Sequence, residues 1–330
     1  MLEDVVLLEV KDLKTYFYVK KQELRAVDGV SFSLNKGQTL GIVGESGCGK
    51  SVASMSILKL VDPQAGRITG GQILFEGRDL VPLSERQMTA IRGNEISMIF
   101  QEPMTSLNPV FTIGYQLREA IITHQKASKD EARQKSAELL ELTRVPDAGR
   151  ILKNYPHQLS GGMRQRVMIA MSLACNPKLL IADEPTTALD VTIQAQVLDL
   201  MRDIKNKLNT AMMLITHDLG VIAEMADDIL VMYAGKVVEH APALELFKNP
   251  RHPYTAGLMR SKPNILQDQE KLHTIPGNVP SLYEMPEGCP FHPRCGNAMD
   301  VCAGRFPDTY KISGVQSVAC WLYGKEGGVP

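Results

Sequence analysis

The chain has 330 residues, of which 44% are hydrophobic, so it is long enough for about two domains with buried cores. Its net charge of -1 at pH 7 argues against nucleic-acid binding by a broad basic surface. No apolar run approaches the roughly 20 residues that span a bilayer, and the first residues lack the basic and apolar regions of a signal peptide. We therefore expect a cytosolic protein whose six cysteines are reduced thiols, metal ligands or catalytic groups.

The first elements along the chain are strands. Residues 7–13 and 26–34 alternate apolar and polar side chains, as half-buried strands do, and residues 39–43 form an apolar run typical of a buried strand. Residues 52–61 then carry apolar side chains at helical spacing. The loop between this strand and this helix fits the pattern G-x-x-x-x-G-K-[ST]. Its residues are Gly44, Glu45, Ser46, Gly47, Cys48, Gly49, Lys50 and Ser51.

This loop predicts a nucleotide-binding site. Its glycines let the backbone wrap phosphate groups, and the helix that follows presents unpaired N–H groups to an anion. Lys50 is placed to reach the terminal phosphates, and the Ser51 hydroxyl is placed to ligate Mg²⁺. The alternative is a chance glycine-rich turn, which the strand before the loop and the helix after it disfavour.

The middle of the chain alternates helices and strands. Helical patterns dominate residues 105–161, where 129–144 are rich in Ala, Glu, Leu and Lys. A helix, a buried strand, an amphipathic helix and a strand are then expected over residues 163–174, 178–182, 192–208 and 211–216. This alternation implies a largely parallel sheet that is covered on both faces. The predicted fold class is α/β, with a RecA-like P-loop core, an antiparallel β edge, a helical subdomain and a Pro- and Cys-rich C-terminal extension.

Two carboxylates, Asp183 and Glu184, follow the buried strand that is expected over 178–182. Ligands of open α/β sheets bind beyond the carboxyl ends of the strands. Asp183 is therefore placed to hold Mg²⁺ through its water shell, and Glu184 is placed to polarise the water that attacks the γ-phosphate. A solvated turn or a helix cap is the alternative, which the phosphate loop in the same chain disfavours.

The run from Leu159 to Met163 introduces a helix and offers a serine and two glycines to a second phosphate. With this run the chain resembles the ATP-binding-cassette (ABC) ATPases, whose signature is L-S-G-G-Q, and Met163 replaces the glutamine. The resemblance implies that Ser160, Gly161 and Gly162 complete the ATP pocket of the opposite subunit, so that two chains enclose ATP and hydrolysis needs a dimer.

Other motifs of this family follow in the expected order. The resemblance implies that Gln101 senses Mg²⁺ and the attacking water and connects to the membrane partner, and that His217 contacts the γ-phosphate. It also implies that residues 187–190 touch the opposite site. In the aromatic run 16–18, spacing favours Phe17 as the ring that stacks on adenine, while Tyr16 and Tyr18 remain alternatives.

Four of the six cysteines lie in the proline-rich tail, where apolar periodicity fades; they are Cys289, Cys295, Cys302 and Cys320. Their spacing lacks the pair of cysteines two to four residues apart, C-x2-4-C, that is typical of structural zinc sites. Four thiolates in a cytosolic chain can still hold one Zn²⁺ or an iron–sulfur cluster, and four unconnected thiols are a third alternative. Cys48 and Cys175 fit plain free thiols better.

Three stretches narrow the resemblance to the dipeptide and oligopeptide permease ATPases. They are residues 102–109, just after Gln101, and residues 251–255 and 288–295 towards the C-terminus. This likeness implies a [4Fe-4S] cluster on the four tail cysteines, in preference to Zn²⁺ and with a structural role. It also implies an importer at the cytoplasmic face of the membrane, with a second ATPase subunit, identical or related, two transmembrane permease subunits and an external peptide-binding protein. Import of another solute such as nickel, and a soluble ABC ATPase without a transport role, are the alternatives.

These motifs also predict how the chain is divided. Residues 1–104 and 163–240 are expected to form the nucleotide-binding core with its β subdomain. Residues 105–162 are expected to form the helical subdomain that carries the signature, and residues 241–330 the C-terminal extension with the four-cysteine site.

Overall fold

A computed structural model describes residues 5–101, 106–187, 189–261 and 274–324 of the chain. The chain divides into two compact units. Unit 1 consists of Met1–Leu7, Leu34–Thr39 and Pro82–Ile215, and unit 2 consists of Leu8–Ser33, Leu40–Val81 and Thr216–Pro330. This division does not test the domain boundaries expected from the sequence, which stay a prediction.

Strands and helices alternate along the described part of the chain. The strands are β1 Val6–Val19, β2 Gln22–Asn35, β3 Thr39–Val43, β4 Gly66–Phe75, β5 Arg78–Asp79, β6 Ile96–Ile99, β7 Leu179–Asp183, β8 Ala211–Ile215, β9 Asp228–Tyr233, β10 Lys236–Pro242, β11 Tyr310–Lys311 and β12 Ser317–Val318. The helices are α1 Lys50–Ile57, α2 Glu85–Ile91, α3 Ile113–Gln125, α4 Lys129–Leu142, α5 Ala148–Ile151, α6 Gly161–Ser172, α7 Val191–Leu208, α8 Leu219–Met225, α9 Ala243–Lys248, α10 Pro253–Arg260 and α11 Asp300–Gly304.

Unit 2 contains two groups of paired strands. One is a four-stranded sheet in the order β2-β1-β4-β5, in which β1 and β4 run antiparallel. The other group has the order β11-β12-β10-β9-β3. Within it β3 and β9 are parallel, whereas β9, β10, β12 and β11 pair antiparallel. The antiparallel β edge that the sequence predicts is therefore confirmed.

Unit 1 contains three parallel strands in the order β8-β7-β6. Every residue of β7 and β8 is buried, as is typical of parallel strands that are covered on both faces. Helix α4 begins with a capping box, since the Ser128 side chain accepts from the Glu131 N–H while the Glu131 carboxylate accepts from the Ser128 N–H. Helix α7 is capped by Asp190 and ends at Leu208, and the residue that follows, Asn209, has a left-handed φ of 50°.

Some elements differ in length from the predictions. The strands of the first hairpin are longer than residues 7–13 and 26–34, because the aromatic end of β1 pairs with β4 as far as Phe17 opposite Gly66. Helix α1 stops at Ile57 instead of residue 61, and Lys59 just beyond it has a φ of 51°. Helix α6 starts two residues earlier than expected, because Ser160 is its cap.

Main-chain hydrogen bonds attach the tail to the rest of unit 2, and a side-chain hydrogen bond joins two parts of the tail. Strand β12 pairs with β10, and the Ala319 N–H donates to the Val238 carbonyl over 2.8 Å. The indole N–H of Trp321 donates to the Arg305 carbonyl over 2.9 Å. The tail thus extends an existing set of strands. Among the residues described, no helix is both long enough and apolar enough to cross a bilayer.

Candidate functional site

The phosphate loop, residues 44–51, joins β3 to α1, and two of its glycines lie where a side chain has no room. A Cβ on Gly44 would collide with a main-chain oxygen of β9, and a Cβ on Gly49 would collide with a main-chain oxygen of β2. Gly47 and Gly49 also have φ values of 79° and 98°, which favour glycine. The path of this loop therefore requires the glycines of the motif.

Lys50 is the first residue of α1, and only 6% of it is exposed. Its ammonium donates to the carbonyl oxygens of Gly44 and Glu45, over 2.8 and 3.1 Å, so the side chain folds back across the loop. Ser51 follows in the first turn and is half-buried. A cation and a helix N-terminus thus meet at one loop, which is the arrangement that binds a phosphate.

Glu45 is tied to the C-terminal part of the chain. Its main-chain N–H donates to the Tyr254 hydroxyl over 2.8 Å. Its carboxylate accepts two hydrogen bonds from the Arg294 guanidinium, over 2.9 and 3.2 Å. Sequence reasoning missed both contacts, although the two residues lie in the tail stretches 251–255 and 288–295 that carry the resemblance to peptide permeases.

Asp183 and Glu184 lie at the carboxyl end of β7 in unit 1. Asp183 is the last residue of the strand and is 4% exposed. Glu184 has a left-handed φ of 48°, and its main-chain N–H donates to the Ile215 carbonyl over 2.8 Å. Its carboxylate accepts from the Gln101 amide over 3.1 Å and from the Thr187 hydroxyl over 2.8 Å. The structure thus brings together two of the three predicted catalytic side chains, Gln101 and Glu184.

The signature run forms the N-terminus of α6 in unit 1. The Ser160 hydroxyl accepts from the Met163 N–H over 3.4 Å, and a Cβ on Gly162 would lie 2.9 Å from the Ile193 side chain. Ser160, Gly161 and Gly162 line a surface cleft together with Arg166, Leu189 and Asp190. The cleft joins the signature to the predicted loop 187–190, of which Ala188 lies outside the described residues.

His217 lies in unit 2, just after β8, and its side chain is exposed. Its two neighbours fix the main chain around it. The Thr216 N–H donates to the Ile42 carbonyl over 3.3 Å, and the Asp218 carboxylate caps α8 by accepting from the Gly220 N–H over 2.7 Å. The histidine is thus held at the end of a strand, and its contact with the γ-phosphate stays a prediction.

The three candidate rings for adenine differ in their contacts. The Tyr16 hydroxyl donates to Asp28 over 2.7 Å, and the Arg67 guanidinium lies 4.9 Å from the centre of the Tyr18 ring. Phe17 is half-buried and lies over Gly66, where a Cβ would come within 2.7 Å of its ring. Phe17 as the stacking residue stays a prediction.

The four tail cysteines all line one small cavity in unit 2, together with Phe291 and Trp321. The Cys289 N–H donates to the Cys302 carbonyl over 2.8 Å. Burial raises the pKa of Cys289 to about 12 and that of Cys320 to about 11, and it also raises the pKa of Cys295.

Four thiols around one cavity, two of them buried and two half-buried, are a donor set that suits a thiolate-bound metal. In the described ranges, however, no group of three or more His, Cys, Asp or Glu side chains has the geometry to hold a metal ion. The structure thus gathers the predicted ligands around one cavity and does not support the predicted cluster by their arrangement.

The other two cysteines are buried thiols outside this set. Burial raises the pKa of Cys48, while the Lys50 ammonium acts in the opposite direction. Burial likewise raises the pKa of Cys175. A raised pKa lowers the thiolate fraction and with it the reactivity of a cysteine. This agrees with the expectation that both are plain thiols.

Comparisons with known proteins cover both the phosphate loop and the tail. A family model described as "ABC transporter" matches residues 27–187, and one described as "Oligopeptide/dipeptide transporter, C-terminal region" matches residues 238–302. The chain is 56% identical to the oligopeptide transport ATP-binding protein AppD of Bacillus subtilis, over 97% of this chain and 98% of AppD. It is 51% identical to the dipeptide transport ATP-binding protein DppD of the same bacterium, over 96% of this chain and 94% of DppD.

Among solved structures, the chain is similar to the dimeric ATP-binding cassette MJ0796 in a post-hydrolysis state bound to ADP and Pi. The TM-score is 0.65 at 26% sequence identity, and the match covers 72% of this chain and 99% of that one. A second dimeric structure of MJ0796, described as a bacterial ABC transporter cassette, matches with the same TM-score and 27% identity, and it covers the same shares of the two chains.

Proposed function

The chain belongs to the family of ABC transporter ATPases, and from this premise we propose that it hydrolyses ATP to power the import of dipeptides or oligopeptides. One observation carries the peptide assignment: the same chain joins the ATPase motifs to a tail that matches the C-terminal region of oligopeptide and dipeptide transporters. The relatives named for oligopeptide and dipeptide transport resemble it over almost its whole length.

The site residues have separate roles in this proposal. The phosphate groups of ATP bind the main-chain N–H groups of residues 44–51 and the Lys50 ammonium, while Phe17 stacks on adenine. Ser51, Gln101 and Asp183 would hold Mg²⁺, which offsets the negative charge of the phosphate oxygens. Neutralised phosphates accept a nucleophile more readily, so these residues prepare the γ-phosphate for attack.

Glu184 acts as the base in the proposed reaction. Its carboxylate takes a proton from water, whose oxygen forms a bond to the γ-phosphorus as the bond to the ADP oxygen breaks. The hydrogen bonds from Gln101 and Thr187 fix the position of this carboxylate. His217 contacts the γ-phosphate and stabilises its charge.

A second cassette completes the proposed assembly. Ser160, Gly161 and Gly162 close the ATP site of that cassette, which is this chain or a related one. Because ATP binds the closed pair better than the open pair, binding closes the pair and hydrolysis releases it. Two membrane permease subunits convert this motion into transport at the cytoplasmic face of the membrane. A peptide-binding protein on the outside supplies the cargo.

The proposal is tested in cells that encode the chain and its transporter. We expect deletion of the chain to stop uptake of radiolabelled dipeptide or oligopeptide, and the original chain to restore it. Lys50→Met should fail to restore uptake, whereas Lys207→Met, at an exposed position of α7, should succeed. Unchanged peptide uptake in the deletion strain, with loss of ⁶³Ni²⁺ uptake, would show that the cargo assignment is wrong.

For the tail we propose a [4Fe-4S] cluster on Cys289, Cys295, Cys302 and Cys320, with one Zn²⁺ as the alternative. Support comes from the four thiols around one cavity and from the likeness to peptide permease ATPases. A proline-rich segment with short helices and strands gains stability from such a cross-link. The proposed role is therefore structural.

Metal analysis tests this assignment. On protein purified without oxygen, we expect about four irons and four acid-labile sulfides per chain, because the four thiolates match the ligand set of this cluster. Cys295→Ser should lose them, while the matched change at a buried cysteine outside the cavity, Cys175→Ser, should keep them. One zinc without sulfide would select the alternative, and a chain without any metal would contradict both.

A further inference from the structure

Arg294 connects the four-cysteine segment to the phosphate loop. It directly precedes Cys295, and only 7% of its side chain is exposed. Its two terminal nitrogens bind the two carboxylate oxygens of Glu45, over 2.9 and 3.2 Å. Its Nε donates to the Pro276 carbonyl over 2.9 Å, and one terminal nitrogen also donates to the Tyr233 hydroxyl over 3.2 Å. Such a two-pronged arrangement fixes the direction of the carboxylate as well as its distance.

Aromatic side chains enclose this ion pair. The rings of Tyr233, Tyr254 and Phe291 lie with their centres 4.7 to 5.4 Å apart. The Tyr254 hydroxyl accepts from the Glu45 N–H, so the aromatic group holds the main chain of Glu45 while Arg294 holds its side chain. An ion pair in such surroundings is less screened by salt than an exposed one, and loss of one partner leaves a partly buried charge.

We propose that Arg294 is a positioning residue for ATP binding, which couples nucleotide affinity to the conformation of the four-cysteine segment. The proposal rests on the nucleotide-binding role assigned above to the phosphate loop. Glu45 contributes a main-chain N–H and a carbonyl to that loop. A shift of Glu45 therefore changes the spacing of the N–H groups that face the phosphates.

The main chain shows how the cysteines set the position of Arg294. The segment from Cys289 to Cys295 is a tight turn, in which the His292 N–H donates to the Cys289 carbonyl and the Cys295 N–H donates to the His292 carbonyl. Arg294 is the last residue of the 3₁₀ helix in this turn. Any change in the cysteines at its two ends therefore moves the guanidinium.

Coupling of this kind is reciprocal. If the conformation of the four-cysteine segment changes nucleotide affinity, bound nucleotide must change the stability of that segment by the same free energy. Nucleotide that orders the loop thus holds Arg294 in place and protects the tail cysteines from reagents. This second effect is independent of catalysis.

The first experiment measures MgADP affinity of the full-length chain by calorimetry. We expect Arg294→Gln and Glu45→Gln each to weaken binding about tenfold, because each removes one charge from a paired contact. Arg294→Lys should recover part of the loss, because it keeps the charge without the two-pronged geometry. Arg305→Gln is the matched control: this tail arginine lies 4.5 Å from the Trp321 ring, outside the ion pair with Glu45.

The double variant Glu45→Gln with Arg294→Gln separates positioning from general damage. If the two residues act through one contact, the double variant should bind MgADP about as tightly as the single variant that binds it less tightly. Losses that add in full would contradict the proposal, as would an Arg305→Gln control that is weakened as much as Arg294→Gln. Unchanged affinity in Arg294→Gln would overturn it outright.

The second experiment measures how fast iodoacetamide alkylates Cys289 and Cys295 in the full-length chain after a chelator has removed any bound metal, with and without saturating MgADP. We expect nucleotide to slow alkylation several-fold in the original chain and in Arg305→Gln. In Glu45→Gln, whose tail sequence is intact, the protection should disappear even if Arg294→Gln does not fold. Equal protection in Glu45→Gln would contradict the coupling. Absence of ADP and ATP binding in the original chain would instead contradict the proposed function itself.

Discussion

Glu184→Gln is expected to lower steady-state ATP hydrolysis by about 10²- to 10⁴-fold, the usual contribution of a positioned base. The substitution keeps the size of the side chain and an oxygen that accepts from Gln101 and Thr187, but it removes the group that takes the proton. Binding of ATP should therefore persist while phosphate release stops. Phosphate release at saturating ATP, beside ATP affinity measured by calorimetry, separates the two effects.

Glu141→Gln is the matched control for this prediction. Glu141 is an exposed carboxylate near the end of α4, so its replacement removes the same charge from the surface of unit 1. The control should hydrolyse ATP at the original rate. Hydrolysis by Glu184→Gln at that same rate would show that another group accepts the proton.

Lys50→Met is expected to weaken ATP binding by about 10- to 150-fold. The change removes a cation that reaches the terminal phosphates, and a hydrogen bond to a charged group contributes about 1.5 to 3 kcal/mol. Methionine keeps most of the buried side-chain volume of a residue that is 6% exposed, so the fold should tolerate it. Equilibrium binding of a fluorescent ATP analogue measures the loss.

Two controls accompany this measurement. Lys207→Met, on the exposed surface of α7, should bind as the original chain does. Thermal unfolding should show that Lys50→Met is folded at the temperature of the binding assay, since the variant also loses the hydrogen bonds to Gly44 and Glu45. If folded Lys50→Met bound the ATP analogue as tightly as the original chain does, the proposed role of this lysine would be wrong.

Local patterns predicted the central elements well. Strand β3 covers residues 39–43 as expected, because its apolar run stops abruptly at a glycine that the next loop requires. Helix α7 begins one residue before the predicted 192 and ends at the predicted residue 208. Its bounds could be predicted because its cap and its apolar face are both local features of the sequence. Strand β1 was predicted too short, because its pairing with β4 depends on residues 66–75, far along the chain.

The same distinction applies to the candidate site. The residues of the phosphate loop, and Asp183 at the end of its strand, could be predicted from the sequence. Each belongs to a short pattern of neighbouring residues. The hydrogen bond from Gln101 to Glu184 links residues 83 positions apart, and no local pattern specifies it. The Glu45–Arg294 contact spans 249 positions, so only the folded chain shows it.

This separation along the chain has a consequence for synthesis. A ribosome makes the phosphate loop early, but the two side chains that hold Glu45 arrive 209 and 249 residues later. Because domains fold as their last required contacts emerge, the nascent chain carries an unsupported phosphate loop until the tail has left the ribosome. Proper nucleotide binding is thereby postponed until nearly the whole chain exists, and an incomplete chain released early should compete poorly for ATP.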